Sequence, residues 1–250
     1  MIRRRLRPVA VFVAICLGTA FGSPVHAQAQ EMNVLIIGTS LVRGIKKNLR
    51  DFLREDGYPR PKIVTRVEPG GSLEAHANSN RTKRALDQRP WDFVLMANTS
   101  KHMNAEDYPG ARDLHDQVVA RGAQPVFLMT WLPRLVSIPG WDGLRGVPGG
   151  DIGYVPIAFE LGAPVAPAGW AVRQVKIDGD PVDAWKRSTH LGKTGRYLAA
   201  AVVYATITGN SPIGLEAKGK TLAPFVDYLQ GLADTIVLSN PTDDWNISFD

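Results

Sequence analysis

Five short apolar runs alternate with longer helix-compatible segments along this chain, and no other feature of the sequence restricts the fold so strongly. The runs cover 33–38, 62–67, 92–97, 124–130 and, less markedly, 163–166. Val, Ile, Leu and Phe dominate them without strict alternation, as expected of strands covered on both faces. Helical patterns occupy 42–55, 79–87, 108–121, 151–161, Lys193–Thr208 and 222–238. The best defined is Lys193–Thr208, which contains the apolar run Tyr-Leu-Ala-Ala-Ala-Val-Val-Tyr-Ala and is followed by the stop signal Gly209-Asn210-Ser211-Pro212. Strand and helix in turn predict an α/β fold, a parallel sheet with helices on both faces.

The N-terminus has a different character. Arg3, Arg4, Arg5 and Arg7 precede an apolar segment from Val9 to Phe21, and Val25-His26-Ala27 offers a small-x-small cleavage site. This is the pattern of a secretory signal peptide over 1–27, and it predicts a secreted or periplasmic protein. The apolar segment is too short for a comfortable span, and Ile15 before Cys16 does not suit lipid attachment, so no stable membrane anchor is expected. The remaining residues, 28–250, suffice for a single domain. Removing 1–27 takes away four arginines and no acid, so the formal charge falls from +5 to +1. Charges of mixed sign then leave no basic face for nucleic acid. Cys16, the sole cysteine, goes with the leader, which excludes disulfides, thiol catalysis and Cys-zinc sites from the mature chain.

Ligands of open α/β sheets bind beyond the carboxyl ends of the strands. Gly38-Thr39-Ser40-Leu41 follows the first run, Glu68-Pro69-Gly70-Gly71-Ser72-Leu73 the second, Asn98-Thr99-Ser100-Lys101-His102 the third and Trp131-Leu132-Pro133-Arg134 the fourth. A serine nucleophile needs a base within hydrogen-bond reach and donors aimed at the oxyanion. Of His76, His102, His115 and His190, the last is distinctive, lying immediately before the Lys193–Thr208 helix. Plainer roles are open to both residues: Ser40 as N-cap of the 42–55 helix, and His190 as a helix-terminal structural residue. His76 and His102 could face the same cleft, but no His-x-His or His-x-x-x-His spacing supports a metal site. Gly70-Gly71 lacks the dinucleotide fingerprint spacing. Asn98-Thr99-Ser100 fits a glycosylation acceptor, yet it directly follows a buried strand. The Gly- and Pro-rich stretch 133–153 reads as a rim or lid over the site, or as a surface excursion. Trp131 and Arg134 are candidates for substrate contact, with packing and surface roles as the alternatives.

Taken in order, these segments resemble the SGNH hydrolases, also called GDSL esterases and lipases. Gly38-Thr39-Ser40-Leu41 is similar to that family's first block, Gly-Asp-Ser-Leu after a strand, and Gly70-Gly71-Ser72-Leu73-Glu74-Ala75-His76 fits its glycine-bearing second block. Met96-Ala97-Asn98-Thr99 answers the third block, Gly-x-Asn-Asp, and His190 with Gly195-Arg196-Tyr197-Leu198 looks like the last, Asp-x-x-His before a helix. The order and spacing agree across nearly the whole mature chain. The resemblance implies a three-layer α/β/α, flavodoxin-like fold with a parallel sheet in the order 2-1-3-4-5. It implies hydrolysis of a carboxylic ester, on a small molecule or an acylated carbohydrate, with no cofactor. The cast it implies is Ser40 as nucleophile, His190 as base, and an oxyanion hole from the backbone N–H groups of Ser40 and Gly71 and the side-chain amide of Asn98. Such donors stabilise a developing oxyanion without competing as nucleophiles.

Two positions depart from the pattern. Thr39 replaces the first-block Asp, and Arg187 stands three residues before His190, where the family has its acid. A cation cannot accept the imidazole Nδ1–H, which is the acid's task in a triad. The orienting group is then a backbone carbonyl or another acid such as Asp183, Asp180 or Asp178. Otherwise the site is degenerate, and the domain binds a glycan or a partner through the same cleft without catalysis.

Overall fold

The most apolar run becomes an inner strand of the sheet. A computed structural model describes residues 31–68, 71–98, 108–131, 154–216 and 222–249. The signal-peptide segment, His102, Arg134 and the 133–153 stretch lie outside the described residues. Strand β1 (Asn33–Gly38) carries Val34, Leu35, Ile36 and Ile37 fully buried, as strands covered on both faces require. It pairs in parallel with β2 (Lys62–Val67) on one side and β3 (Phe93–Met96) on the other, in registers that set Gly38 beside Val67 and Ile37 beside Met96. Strands β4 (Gln124–Leu128) and β5 (Val165–Ala166) complete an all-parallel sheet of order β2-β1-β3-β4-β5, the expected arrangement.

Helices cover both faces. One layer is built from α1 (Ile45–Glu55), α6 (Ala168–Ile177), α7 (Lys193–Thr208) and α8 (Val226–Leu238), which pack on one another. The other comprises α2 (Leu73–Asn78), α3 (Asn80–Leu86), α4 (Tyr108–Val119) and α5 (Tyr154–Leu161), and a short α9 (Pro241–Trp245) closes the chain against α8. Helix α7 runs to Thr208 as expected, with Gly209 as its left-handed cap. Among the described residues no helix is long and apolar enough to cross a membrane.

The structure corrects several boundaries. The third and fourth strands are shorter than the apolar runs that announced them, and the fifth is only Val165–Ala166. The helix expected over 42–55 starts as a 3-10 turn, Ser40–Gly44, before α1 begins. Helices α2, α6 and α9 are additions. Pro167 just before α6 and Gly169 within it hide the helix in the sequence, although Gly169 is there for contact rather than flexibility. A Cβ at that position would lie 2.1 Å from the Thr130 carbonyl oxygen, so only glycine lets α6 approach the end of β4.

Candidate active site

Ser40 emerges two residues beyond β1, on the 3-10 turn. The cap of that turn is Thr39, whose buried hydroxyl accepts from the Leu41 N–H at 3.3 Å. Thr39 therefore does the work expected of a cap, and the Ser40 hydroxyl is left free to turn toward another partner. That partner is His190, whose Nε2 lies 3.1 Å from Ser40 Oγ across 150 residues of sequence.

His190 sits on a tight loop held at both ends. Trp185 and Leu191 form an antiparallel bridge, the His190 carbonyl accepts from the backbone N–H groups of Lys186 and Arg187 at 2.8 and 3.3 Å, and Gly192 N–H donates to Ala184 O at 2.8 Å. Trp131, fully buried after β4, donates its indole N–H to the Thr189 carbonyl at 2.9 Å. This is the role of Trp131 that the sequence left undecided.

The group at His190 Nδ1 is the side chain of Thr189, with Oγ1 at 3.0 Å. None of the three acids considered from the sequence is needed to explain this contact. Asp178 accepts from Tyr228 Oη and Gln174 Nε2, both at 2.7 Å, and its proximity helps burial raise the Tyr228 pKa. Asp183 Oδ1 accepts from the Trp185 N–H at 3.2 Å, and Asp180 is exposed with a left-handed backbone. Arg187 is exposed as well and enters the loop through its backbone.

The strand ends beside β1 bring the other expected residues to the same rim. Asn98 follows β3; it is buried, its backbone N–H donates to Tyr154 Oη at 3.0 Å, and its side-chain Oδ1 has no partner among the described residues. Tyr154 also contacts the Thr130 hydroxyl at 3.3 Å, tying the ends of β3 and β4 together. Gly71 follows β2, and its N–H closes a turn on the Glu68 carbonyl at 3.1 Å. To serve an oxyanion, as the resemblance implies, it must share that hydrogen.

His76 is structural. It is fully buried on α2, with Nε2 3.1 Å from the Gly38 carbonyl and Nδ1 3.0 Å from Thr82 Oγ1. Because a carbonyl only accepts, Nε2 carries the proton and Nδ1 accepts from Thr82. Burial lowers its pKa, against the opposing influence of the Gly38 hydrogen bond and of Glu68. The imidazole thus pins the end of β1, two residues before Ser40.

Ser40 and His190 open onto a cleft of about 270 Å³, whose other described lining residues are Leu41, Arg43, Gly44, Leu191 and Arg196. A hydroxyl with an imidazole within hydrogen-bond reach is a pair suited to acyl transfer, whereas Asn98 and Gly71 are not among the described lining residues of this cleft.

The sequence matches no protein-family model and no curated protein. Solved structures do match. A DUF4886 family protein from Bacteroides uniformis is 16% identical, with 84% of this chain and 96% of that chain covered and a TM-score of 0.66. TesA is 16% identical over 71% of this chain and 99% of its own, at a TM-score of 0.56. An acetyl xylan esterase from Geobacillus stearothermophilus is 15% identical over 76% and 97%, at 0.51. Identities this low speak for architecture alone, and on that evidence the chain has an SGNH hydrolase-like fold.

Proposed function

We propose that this protein is an exported serine hydrolase that cleaves carboxylic esters of small molecules or acylated carbohydrates. The observation that carries the reading is the contact of 3.1 Å between Ser40 Oγ and His190 Nε2, made by a serine that another residue relieves of capping the turn. In the reaction Ser40 Oγ–H donates to Nε2. Oγ attacks the ester carbon while the proton passes to His190. The tetrahedral intermediate collapses, the bond to the alcohol oxygen breaks, and His190 protonates the departing alcohol. Water then attacks the acyl-serine, gives its proton to His190, and the acid leaves as Ser40 regains its hydrogen.

Thr189 is a positioning residue in this scheme. Its hydroxyl accepts Nδ1–H, which selects the tautomer with Nε2 free to act as base. A neutral acceptor orients the ring but supplies no negative charge to stabilise the imidazolium. The Ser40 N–H and the Asn98 amide would hold the oxyanion, with Gly71 as a shared third donor. Removing the amide in Asn98→Ala is expected to lower kcat by about 10²–10³.

Purified protein assayed on short-chain nitrophenyl esters beside Ser40→Ala tests the proposal. Turnover lost in the variant supports it. Equal turnover in both, or none in either, returns the domain to a binding role.

A further inference from the structure

We propose that Arg43 and Arg196 form an anion subsite beside Ser40, so that the preferred ester carries a carboxylate or phosphate on its acid or alcohol half. This rests on the ester-hydrolase reading and names its substrate class.

Both arginines line the Ser40–His190 cleft, and no acid is among its described lining residues. Arg43 lies three residues after Ser40 on the 3-10 turn, where side chains at i and i+3 project from the same edge. Arg196 comes from the first turn of α7 and lies across that same 3-10 turn. A Cβ at Gly44 would sit 2.1 Å from Arg196 Cδ and 2.5 Å from its Nε, so the glycine makes room for this side chain. Arg196 Nε donates to the Leu191 carbonyl at 2.9 Å, next to His190 in sequence. That bond fixes the plane of the guanidinium and leaves its terminal amino groups without a partner among the described residues.

Two other described arginines are matched with carboxylates, while several, Arg50 and Arg187 among them, are not. Arg112 pairs with Glu160 and Arg121 with Asp87, each at 2.7 Å, whereas neither Arg43 nor Arg196 takes part in an ion pair among the described residues. General basicity does not account for the two cations, since residues 28–250 carry a formal charge of only +1. Two guanidinium groups lining one cleft, the exposed Arg43 and the partly buried Arg196, make it a positive site for an anion. Their planar donor forks suit a carboxylate or phosphate.

Matched ester pairs test the subsite. Monomethyl glutarate against dimethyl glutarate places the charge on the acid half, and 4-acetoxybenzoate against its methyl ester places it on the alcohol half. The expected result is kcat/KM at least about tenfold higher for the charged member of one pair, the effect of one charge-assisted hydrogen bond. That ratio should shrink in Arg43→Gln and in Arg196→Gln, and also with added salt. A ratio near or below one in both pairs overturns the inference, as does a ratio that neither substitution moves. Binding to Ser40→Ala by calorimetry separates the two claims, because it needs no turnover. If the protein cleaves nothing, the hydrolase reading fails, and the subsite stands only if the charged ester binds about tenfold tighter than its neutral mate. Equal affinity removes it.

Discussion

Replacing Thr189 by Val keeps the shape of the side chain and deletes only the hydroxyl that faces His190 Nδ1 at 3.0 Å. The main chain stays anchored, because Trp131 holds the Thr189 carbonyl rather than its side chain. A neutral hydrogen bond contributes about 0.5–1.5 kcal/mol net, and each 1.36 kcal/mol of barrier is tenfold in rate. The expected loss in kcat is therefore roughly two- to thirteen-fold, with KM nearly constant, since the hydroxyl touches the base and not the substrate. Thr189→Ser retains the acceptor and should stay within about twofold of the parent. Steady-state kinetics on a nitrophenyl ester read both variants. An unchanged kcat in Thr189→Val, or an equal loss in Thr189→Ser, would refute the positioning role. A drop of about 10⁴, the scale seen when a triad acid is neutralised, would show that far more than a neutral acceptor is at work.

Other consequences follow from the same contacts. His76 titrates below its ordinary value of 6.5 because it is buried, so the unfolded chain takes up its proton first as the pH falls. Its contribution to stability is complete above about 6.5 and is lost as the pH drops through the lower folded value. Urea midpoints at pH 7.5 and 5.5 should diverge less in His76→Gln than in the parent, and identical pH dependence in the two would count against the assignment. Gly169→Ala drives a methyl group into the Thr130 backbone at 2.1 Å and should cost about 1–3 kcal/mol, seen as a Tm lower by several degrees. Trp131→Phe removes the indole donor to Thr189, and circular dichroism melts together with kcat should show a small loss of stability and a several-fold loss of rate; an unchanged kcat would separate Trp131 from the site.

The layout of the sheet was legible because its strands are covered on both faces. Val34 to Ile37 read as a strand buried on both faces and the alternation with helices pointed to parallel pairing, while the strand order came from the family resemblance. What escaped depends on contacts between distant parts of the chain. Helix α6 is hidden by Gly169, whose small size answers to Thr130 and not to local propensity. Ser40 and His190 were recognisable from their places at a strand end and before a helix, and the structure joins them. The group that contacts His190 Nδ1 was not. The sequence offers a backbone carbonyl or a nearby acid, whereas the geometry of the 185–191 loop turns the adjacent Thr189 side chain onto the ring. Likewise the sequence offered Ser40 as a cap, and only the path of the 3-10 turn gives that role to Thr39 instead. Tyr154, Arg43 and Arg196 carry no local signature at all, because their roles arise where separate elements meet.

In the proposed function Ser40 is a nucleophile activated by His190. A fluorophosphonate probe reacts with a serine hydroxyl whose proton a neighbouring base can take, so intact-mass and peptide analysis after labelling reads that property without knowledge of the substrate. One adduct on the peptide containing Ser40, absent in Ser40→Ala and strongly slowed in His190→Ala, is the predicted result. No adduct, an adduct elsewhere, or labelling at an unchanged rate in His190→Ala would contradict it.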